Sequence, residues 1–125
     1  MQKILIIDDE PLIRHLLRQM LQTEGYEVEE AEDGCEGIQR YRAAPADLVI
    51  TDVQMPRLNG LDMIKALHQE FPEVKVIVIS SDGDKVRHGA QALGIQDIFQ
   101  KPFEMNAMIA AVRSTMANGK LSDYP

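Results

Sequence analysis

Tryptophan is absent, cysteine occurs once, aromatic residues make up only 5% of the chain, and no run of Ile, Leu and Val exceeds four residues. Each shortage excludes something. Runs such as Ile4-Leu5-Ile6-Ile7 and Val76-Ile77-Val78-Ile79 fall far short of the roughly 20 apolar residues a membrane-spanning helix needs. The acids Asp8, Asp9 and Glu10 interrupt the N-terminal segment too early for a secretory leader, so a cytoplasmic protein is expected. With no second cysteine, Cys35 can form neither an intrachain disulfide nor a cysteine metal cluster, and at a helical position it reads as a small hydrophobe. Basic residues are missing between Arg18 and Arg40, where Glu24, Glu27, Glu29, Glu30, Glu32, Asp33 and Glu36 all fall, and the net charge is −7. Direct nucleic-acid binding needs a basic face and is not expected. The acid run reads as a solvated edge that resists pairing between sheets rather than as a docking patch.

What is present describes one globular domain. A chain of 125 residues buries roughly two thirds of its unfolded surface in a single core, and no low-complexity segment interrupts it. Apolar runs rich in Ile and Val recur at 3–7, 47–51 and 74–79, with weaker ones at 26–31 and 96–100, and a helical pattern follows each. In the first helix Leu12, Leu16 and Met20 form one i, i+4 series, and Ile13, Leu17 and Leu21 the next; Pro11 suits its first turn and Gly25 its stop. Further helices are predicted over about 33–43, 60–70, 84–93 and 104–117, the last ending before Asn118-Gly119. Strands apolar on both faces that alternate with helices make a parallel sheet covered on both sides, a doubly wound α/β domain with right-handed crossovers.

Ligands of such sheets bind outside the carboxyl ends of the strands. There the first strand delivers Asp8 and Asp9, the third Asp52, the fourth Ser80 and the fifth Lys101. Taken singly, Asp9 reads as a helix N-cap, Asp52 as a turn residue, Ser80 as a turn cap and Lys101 as a solvated lysine. Four separate caps meeting at one edge of one small sheet explain the pattern poorly. Three carboxylates held close together repel one another and raise their own pKa values unless positive charge stands among them. Lys101 supplies one charge, and a hard divalent cation with oxygen ligands would bring the cluster near neutrality, with Mg²⁺ the natural candidate and Mn²⁺ a substitute.

Four segments carry a family pattern: K-I-L-I-I-D-D-E-P from Lys3 to Pro11, D-V-Q-M-P-R-L-N-G from Asp52 to Gly60, Val76 to Ser80, and Lys101-Pro102-Phe103. Together they resemble the receiver domain of two-component response regulators, over about residues 1–117. The resemblance implies a flavodoxin-like three-layer sandwich with strand order 2-1-3-4-5. It also implies a phosphorylation switch rather than an enzyme with its own substrate. By position Asp52 matches the phosphoacceptor, Asp9 a direct metal ligand, Asp8 a metal-site carboxylate, the backbone carbonyl of Gln54 a further ligand, Ser80 the switch hydroxyl and Lys101 the phosphate-binding lysine before a cis proline. The implied donor is a sensor histidine kinase, a histidine phosphotransfer protein or a small acyl phosphate, and the implied output is a changed surface around helix four, strand five and helix five. That face is also a candidate for a phosphorylation-dependent homodimer, although no charge pattern compels one. The receiver is expected over 1–118, with 119–125 a tail or the stub of a linker to an output domain.

Other features qualify the pattern. Pro56 and Asn59-Gly60 suit a short, fixed loop after Asp52. Where the family often carries an aromatic residue, three positions before the lysine, this chain has Ile98, and Phe99 should face the other side of the strand. Gly89 weakens helix four by about 1 kcal/mol relative to Ala. Gln54 and Asp82 occupy positions that tune aspartyl-phosphate lifetime in the family, Asp82 reading equally well as a turn residue beside Gly83. His15, His68 and His88 read as surface residues, His15 with Arg14 and Arg18 facing a docking kinase at most, and Met105 and Met108 as core filler. Three rival classes fit less well. An aspartate-nucleophile phosphatase would carry D-x-D after the first strand where this chain has D-D-E-P. A flavodoxin-like electron carrier would need a phosphate-cradling loop where this chain places acids. A receiver fold that only binds partners would have no need of intact Asp52 and Lys101.

Overall fold

Side chains along a strand alternate between the two faces of its sheet, and in β1 (Lys3–Ile7) both sets are aliphatic and buried from Ile4 onward. Ile4 and Ile6 enter one cluster, Leu5 and Ile7 the other, so helices must cover β1 on both sides. The computed structural model, which describes residues 2–55, 57–81 and 83–121, has that arrangement. Among the described residues α1 (Pro11–Thr23), β2 (Glu27–Ala31), α2 (Gly34–Ala43), β3 (Leu48–Asp52), α3 (Gly60–Glu70), β4 (Val76–Ser80), α4 (Gly83–Ala92), β5 (Ile98–Gln100) and α5 (Met105–Leu121) follow β1 in strict alternation. The strands form one parallel sheet in the order β2-β1-β3-β4-β5.

Helices divide between the faces as the strand residues require. Leu17, Met20 and Leu21 of α1 and Met108, Val112 and Met116 of α5 pack with Ile4, Ile6, Ile50 and Ile77 on one face. Tyr41 of α2, Met63, Ile64 and Leu67 of α3, and Val86 and Ala90 of α4 pack with Leu5, Ile7, Val49 and Val78 on the other. Each fully buried side chain of this size contributes roughly 1.5–3 kcal/mol of transfer free energy. Ile98 packs with the α2–α4 side and Phe99 with the α1–α5 side, as strand alternation requires. Among the described residues no helix is long and apolar enough to cross a membrane.

Several expectations need correction. α5 continues through Asn118-Gly119 to Leu121; one helical Gly costs only about 1 kcal/mol, which the burial of Met108, Val112 and Met116 along the same helix outweighs. Met105 is no core filler: it begins α5 and is 40% exposed, while Met108 one turn on is fully buried. Cys35 is exposed rather than a buried hydrophobe, because α2 turns Gly34, Gly37 and Tyr41 inward instead. His68 is half-buried, and its Nδ1 has no hydrogen-bond partner, whereas His15 and His88 are exposed as expected. The acids of edge strand β2 are more than a solvated fringe: Glu30 pairs with Arg14 and Arg18, and Glu29 with Lys3 and Arg40. A Cβ on Gly89 would stand 2.8 Å from Cδ1 of Leu61, the end of a flexible side chain that can turn aside. Pro56, Asp82 and residues 122–125 lie outside the described residues.

Close packing at the start of α3 fixes the loop after β3. A Cβ on Gly60 would fall 2.2 Å from the carbonyl oxygen of Asp52 and 2.8 Å from Cα of Val53, and both are backbone atoms with little room to yield. Gly60→Ala is therefore expected to lower stability by about 1–3 kcal/mol, seen in urea unfolding as a lower midpoint with an unchanged slope.

Candidate functional site

The register of the sheet brings four strand ends level. Ile7 lies beside Ala31 and Thr51, Asp52 beside Ile79, and Ser80 beside Gln100. Just past β1, the Asp8 amide donates to the Ala31 carbonyl at 3.1 Å. Its side-chain Oδ1 accepts the Glu10 amide at 2.9 Å, turning the chain into α1 with Pro11 in the first turn. The Arg14 guanidinium, 2.5 Å from the Asp8 carbonyl oxygen, holds the corner from the next helical turn. These bonds leave Asp8 Oδ2 aimed into the site. Asp9 is exposed and caps no helix, because the cap position falls to Glu10, whose side chain makes no capping bond.

Asp52 is the last residue of β3 rather than a turn residue, and it is 4% exposed. Its Oδ1 accepts the amides of Val53 at 2.7 Å and Gln54 at 3.3 Å. Gly60 donates its amide to the Val53 carbonyl at 2.8 Å, and Asn59 caps α3 by accepting from Asp62. On the far side, fully buried Ser80 accepts the Lys101 amide on its carbonyl at 2.8 Å, which carries the lysine to the same edge; the Lys101-Pro102 bond is cis. Lys101 Nζ donates to Glu10 Oε1 at 2.9 Å and Asp52 Oδ2 at 3.0 Å, and it forms an ion pair with Asp8 Oδ2 at 3.2 Å.

Asp8, Asp9, Asp52 and Lys101, drawn from three strand ends, thus meet, and buried Ser80 flanks them. Gln54 approaches through its backbone amide, while its side-chain Oε1 accepts from Ser81 Oγ at 2.5 Å across the mouth. Glu10 is the member that sequence reasoning missed. The third acid of an unbroken D-D-E run was the available signal, but Glu10 was assigned no part in the site.

Charge dominates this cluster. Burial pushes the Asp8 carboxyl up to about 6; the Glu10 amide bond pulls it down, the nearby Asp52 charge raises it again, and Lys101 lowers it. Burial works against the Lys101 ammonium, but hydrogen bonds to Glu10 and Asp52, with the charges of Asp8 and Asp52, outweigh it and hold the group above the ordinary lysine range. One carboxylate oxygen each from Asp8, Asp9, Glu10 and Asp52 lies within 4.8 Å of the others. Buried Asp8 Oδ2 faces the Lys101 ammonium at 3.2 Å, a charge it shares with Glu10 and Asp52. Four carboxylates sharing one ammonium suit a hard divalent cation.

The whole chain compares with known proteins in the same sense. Residues 4–113 match the family model described as the response regulator receiver domain. The chain belongs to the receiver domain family. As a receiver domain it is 34% identical over 113 residues to the chemotaxis protein CheY of Thermotoga maritima, covering 89% of this chain and 94% of that protein. It is 32% identical over 122 residues to the response regulator MprA of Mycobacterium ulcerans, covering 97% of this chain and 53% of that protein. The receiver domain described here thus spans about half the length of the MprA relatives it matches. Among solved structures, the response regulator TrrA of Thermotoga maritima, in complex with Mg²⁺-BeF, superposes with a TM-score of 0.85 at 31% identity, covering 92% of this chain and 99% of that one.

A carboxyl whose pKa is higher folded than unfolded binds its proton more tightly in the native state, so its ionisation destabilises the fold as pH rises. For Asp8 the interval runs from the ordinary carboxyl value of 3.8 to about 6, which corresponds to about 3 kcal/mol lost by pH 7. Asp8→Asn keeps an acceptor for the Glu10 amide and removes the charge. In a chelator its melting temperature should exceed wild type at pH 7, with the gap closing towards pH 4.

Proposed function

We propose that this receiver domain takes a phosphoryl group onto Asp52 and signals through the resulting change in its surface. The observation that carries this reading is the triple engagement of Lys101 Nζ, at 2.9 Å from Glu10, 3.0 Å from Asp52 and 3.2 Å from Asp8. A cation fixed beside the attacking carboxylate is where charge on a transferring phosphoryl group must be neutralised. Asp8, Asp9, Asp52 and the backbone carbonyl of Gln54 would hold Mg²⁺, or Mn²⁺ in its place, and the metal supplies further neutralisation of the phosphoryl oxygens when bound.

The rest of the chemistry belongs to the chain. The amides of Val53 and Gln54 hold Asp52 Oδ1, which fixes the carboxylate plane for in-line attack. A carboxylate oxygen forms the bond to phosphorus as the bond from phosphorus to the donor breaks, and the leaving imidazole or carboxylate carries away its electron pair. The new group brings about −1.5 to −2 charges and three acceptor oxygens. Lys101 then exchanges a carboxylate for a phosphoryl oxygen, and Ser80 donates to another. Moving a two-state population from 1:99 to 99:1 takes about 5.5 kcal/mol, and charge-assisted hydrogen bonds of roughly 1.5–3 kcal/mol each are of the right size to supply it. Ser80 and Lys101 stand at the ends of β4 and β5, so the change reaches α4, β5 and α5. With Ile98 on the α4 side and Phe99 on the opposite face, the readout works through aliphatic packing rather than a swinging ring.

A protein donor needs a surface beside this mouth. Leu12 is 84% exposed and Leu16 41% on α1, which opens directly from the acidic corner, and Met105 joins Leu16 in lining the groove between α1 and α5. An apolar strip of this kind suits the helices of a sensor histidine kinase or a histidine phosphotransfer protein. The domain acts as a switch and turns over no substrate of its own.

Incubation with acetyl phosphate and Mg²⁺, followed by intact mass, should add one phosphoryl group to wild type and none to Asp52→Asn. A wild type that stays unmodified removes the reading. Leu12→Glu should leave the reaction with acetyl phosphate unchanged and slow transfer from a phosphorylated partner by roughly tenfold, as expected for loss of about 1–2 kcal/mol from an apolar contact.

A further inference from the structure

The loop between Asp52 and α3 carries an unusual backbone. Arg57 has φ 71°, the left-handed region, which non-glycine residues enter at a cost of roughly 1–2 kcal/mol. Among the described residues it is the one non-glycine with positive φ. Such a conformation persists where surrounding contacts hold it, and two contacts do so here. The Arg57 guanidinium donates to Asp33 Oδ2 at 3.0 Å, and the carbonyl of neighbouring Leu58 sits so close to Gly34 that a Cβ there would meet it at 2.7 Å.

Asp33 is a firm anchor. It is 5% exposed, and its other oxygen, Oδ1, accepts the Glu36 amide at 2.9 Å to cap α2. The opposite end of the loop is fixed by Gly60, whose amide bonds the Val53 carbonyl. Val53 is therefore tied to Gly60 and Arg57 to Asp33, and the amides of Val53 and Gln54 that orient Asp52 Oδ1 lie in the same loop. A buried carboxylate without its partner carries a desolvation cost, so Asp33 draws Arg57 towards it even though the arginine side chain is 75% exposed.

We infer that Arg57 and Asp33 form a clamp that positions the phosphoacceptor loop, acting on phosphoryl transfer through the Val53 and Gln54 amides rather than by touching the phosphoryl group. The inference rests on Asp52 being the acceptor, but the clamp has a readout that does not depend on it. Two variants avoid loss of the fold. Arg57→Gly removes the guanidinium and relieves the left-handed strain, and Asp33→Asn keeps a side-chain oxygen that caps α2.

The experiment is amide hydrogen exchange at Val53 and Gln54 in the full chain without phosphodonor, alongside the acetyl phosphate reaction at saturating Mg²⁺. In both variants exchange should quicken roughly fivefold, the size expected from losing an ion pair of about 1 kcal/mol, and the phosphorylation rate should fall with it. The double variant should do no worse than either single one, because both remove the same contact. Arg57→Lys should recover part of the loss, and Arg42→Ala, which breaks the exposed pair with Glu70, should change neither readout. Unchanged exchange at both amides in Arg57→Gly overturns the clamp, even if phosphorylation slows. Quickened exchange in a chain whose wild type takes no phosphoryl group keeps the clamp and removes the acceptor reading.

Discussion

Placing Asp8 and Asp52 side by side out of water is the costly act around which this domain is organised. Neither carboxylate is more than 4% exposed, and two like charges so placed would expel each other or take up protons if nothing answered them. The answer is Lys101, brought to the same edge from the far end of the sequence. The hydrogen bonds that orient Asp8 and Asp52, the exit of β1 into α1 and the arrival of β5 all serve that meeting. The balance is incomplete, since four carboxylates face one ammonium. A site left short of positive charge is receptive to a cation, and an ammonium already shared among carboxylates can change partners when a better acceptor arrives.

The sheet gives this meeting its rigidity. Because both faces are covered, β1, β3 and β4 are buried along nearly their whole length, and hydrogen-bonded pairing sets the register of their ends. The loop leaving β3 is packed as closely, with Gly60 against the Asp52 carbonyl and Gly34 against Leu58 keeping it beside its neighbours. Rigid strands holding charges and tightly packed loops holding hydrogen-bond donors together make a centre that can respond to added charge without rearranging its core.

Much of this was legible in the residues. The aliphatic runs at 3–7 and 74–79 and the acids and lysine at the strand ends place sheet and site together, because a parallel strand's position fixes which end its next residue occupies. Less visible was anything depending on which way one side chain turns. Cys35 was misjudged because periodicity does not tell which face of a short helix lies inward when several faces carry small residues, and Met105 because the first residue of a helix need not share the burial of the turns that follow. The acids of β2 looked solvated because their partners Arg14, Arg18 and Arg40 lie on helices whose packing the strand does not reveal. Glu10 hid in plain view, its reach towards Lys101 depending on a fold that joins residues 91 positions apart.

The brevity of β5 has a consequence of its own. Three residues join it to β4, and the next backbone bond in line, from Lys101 to the Ser80 carbonyl, belongs to the same residue whose ammonium is tied into the site. One lysine therefore works as both the last rung of the sheet's outer ladder and the counter-charge of its interior. The outer edge is moored electrostatically from one end, and whatever loosens the ammonium slackens the mooring. Evolution cannot retune the charge at position 101 without also retuning how firmly the edge of the sheet is held.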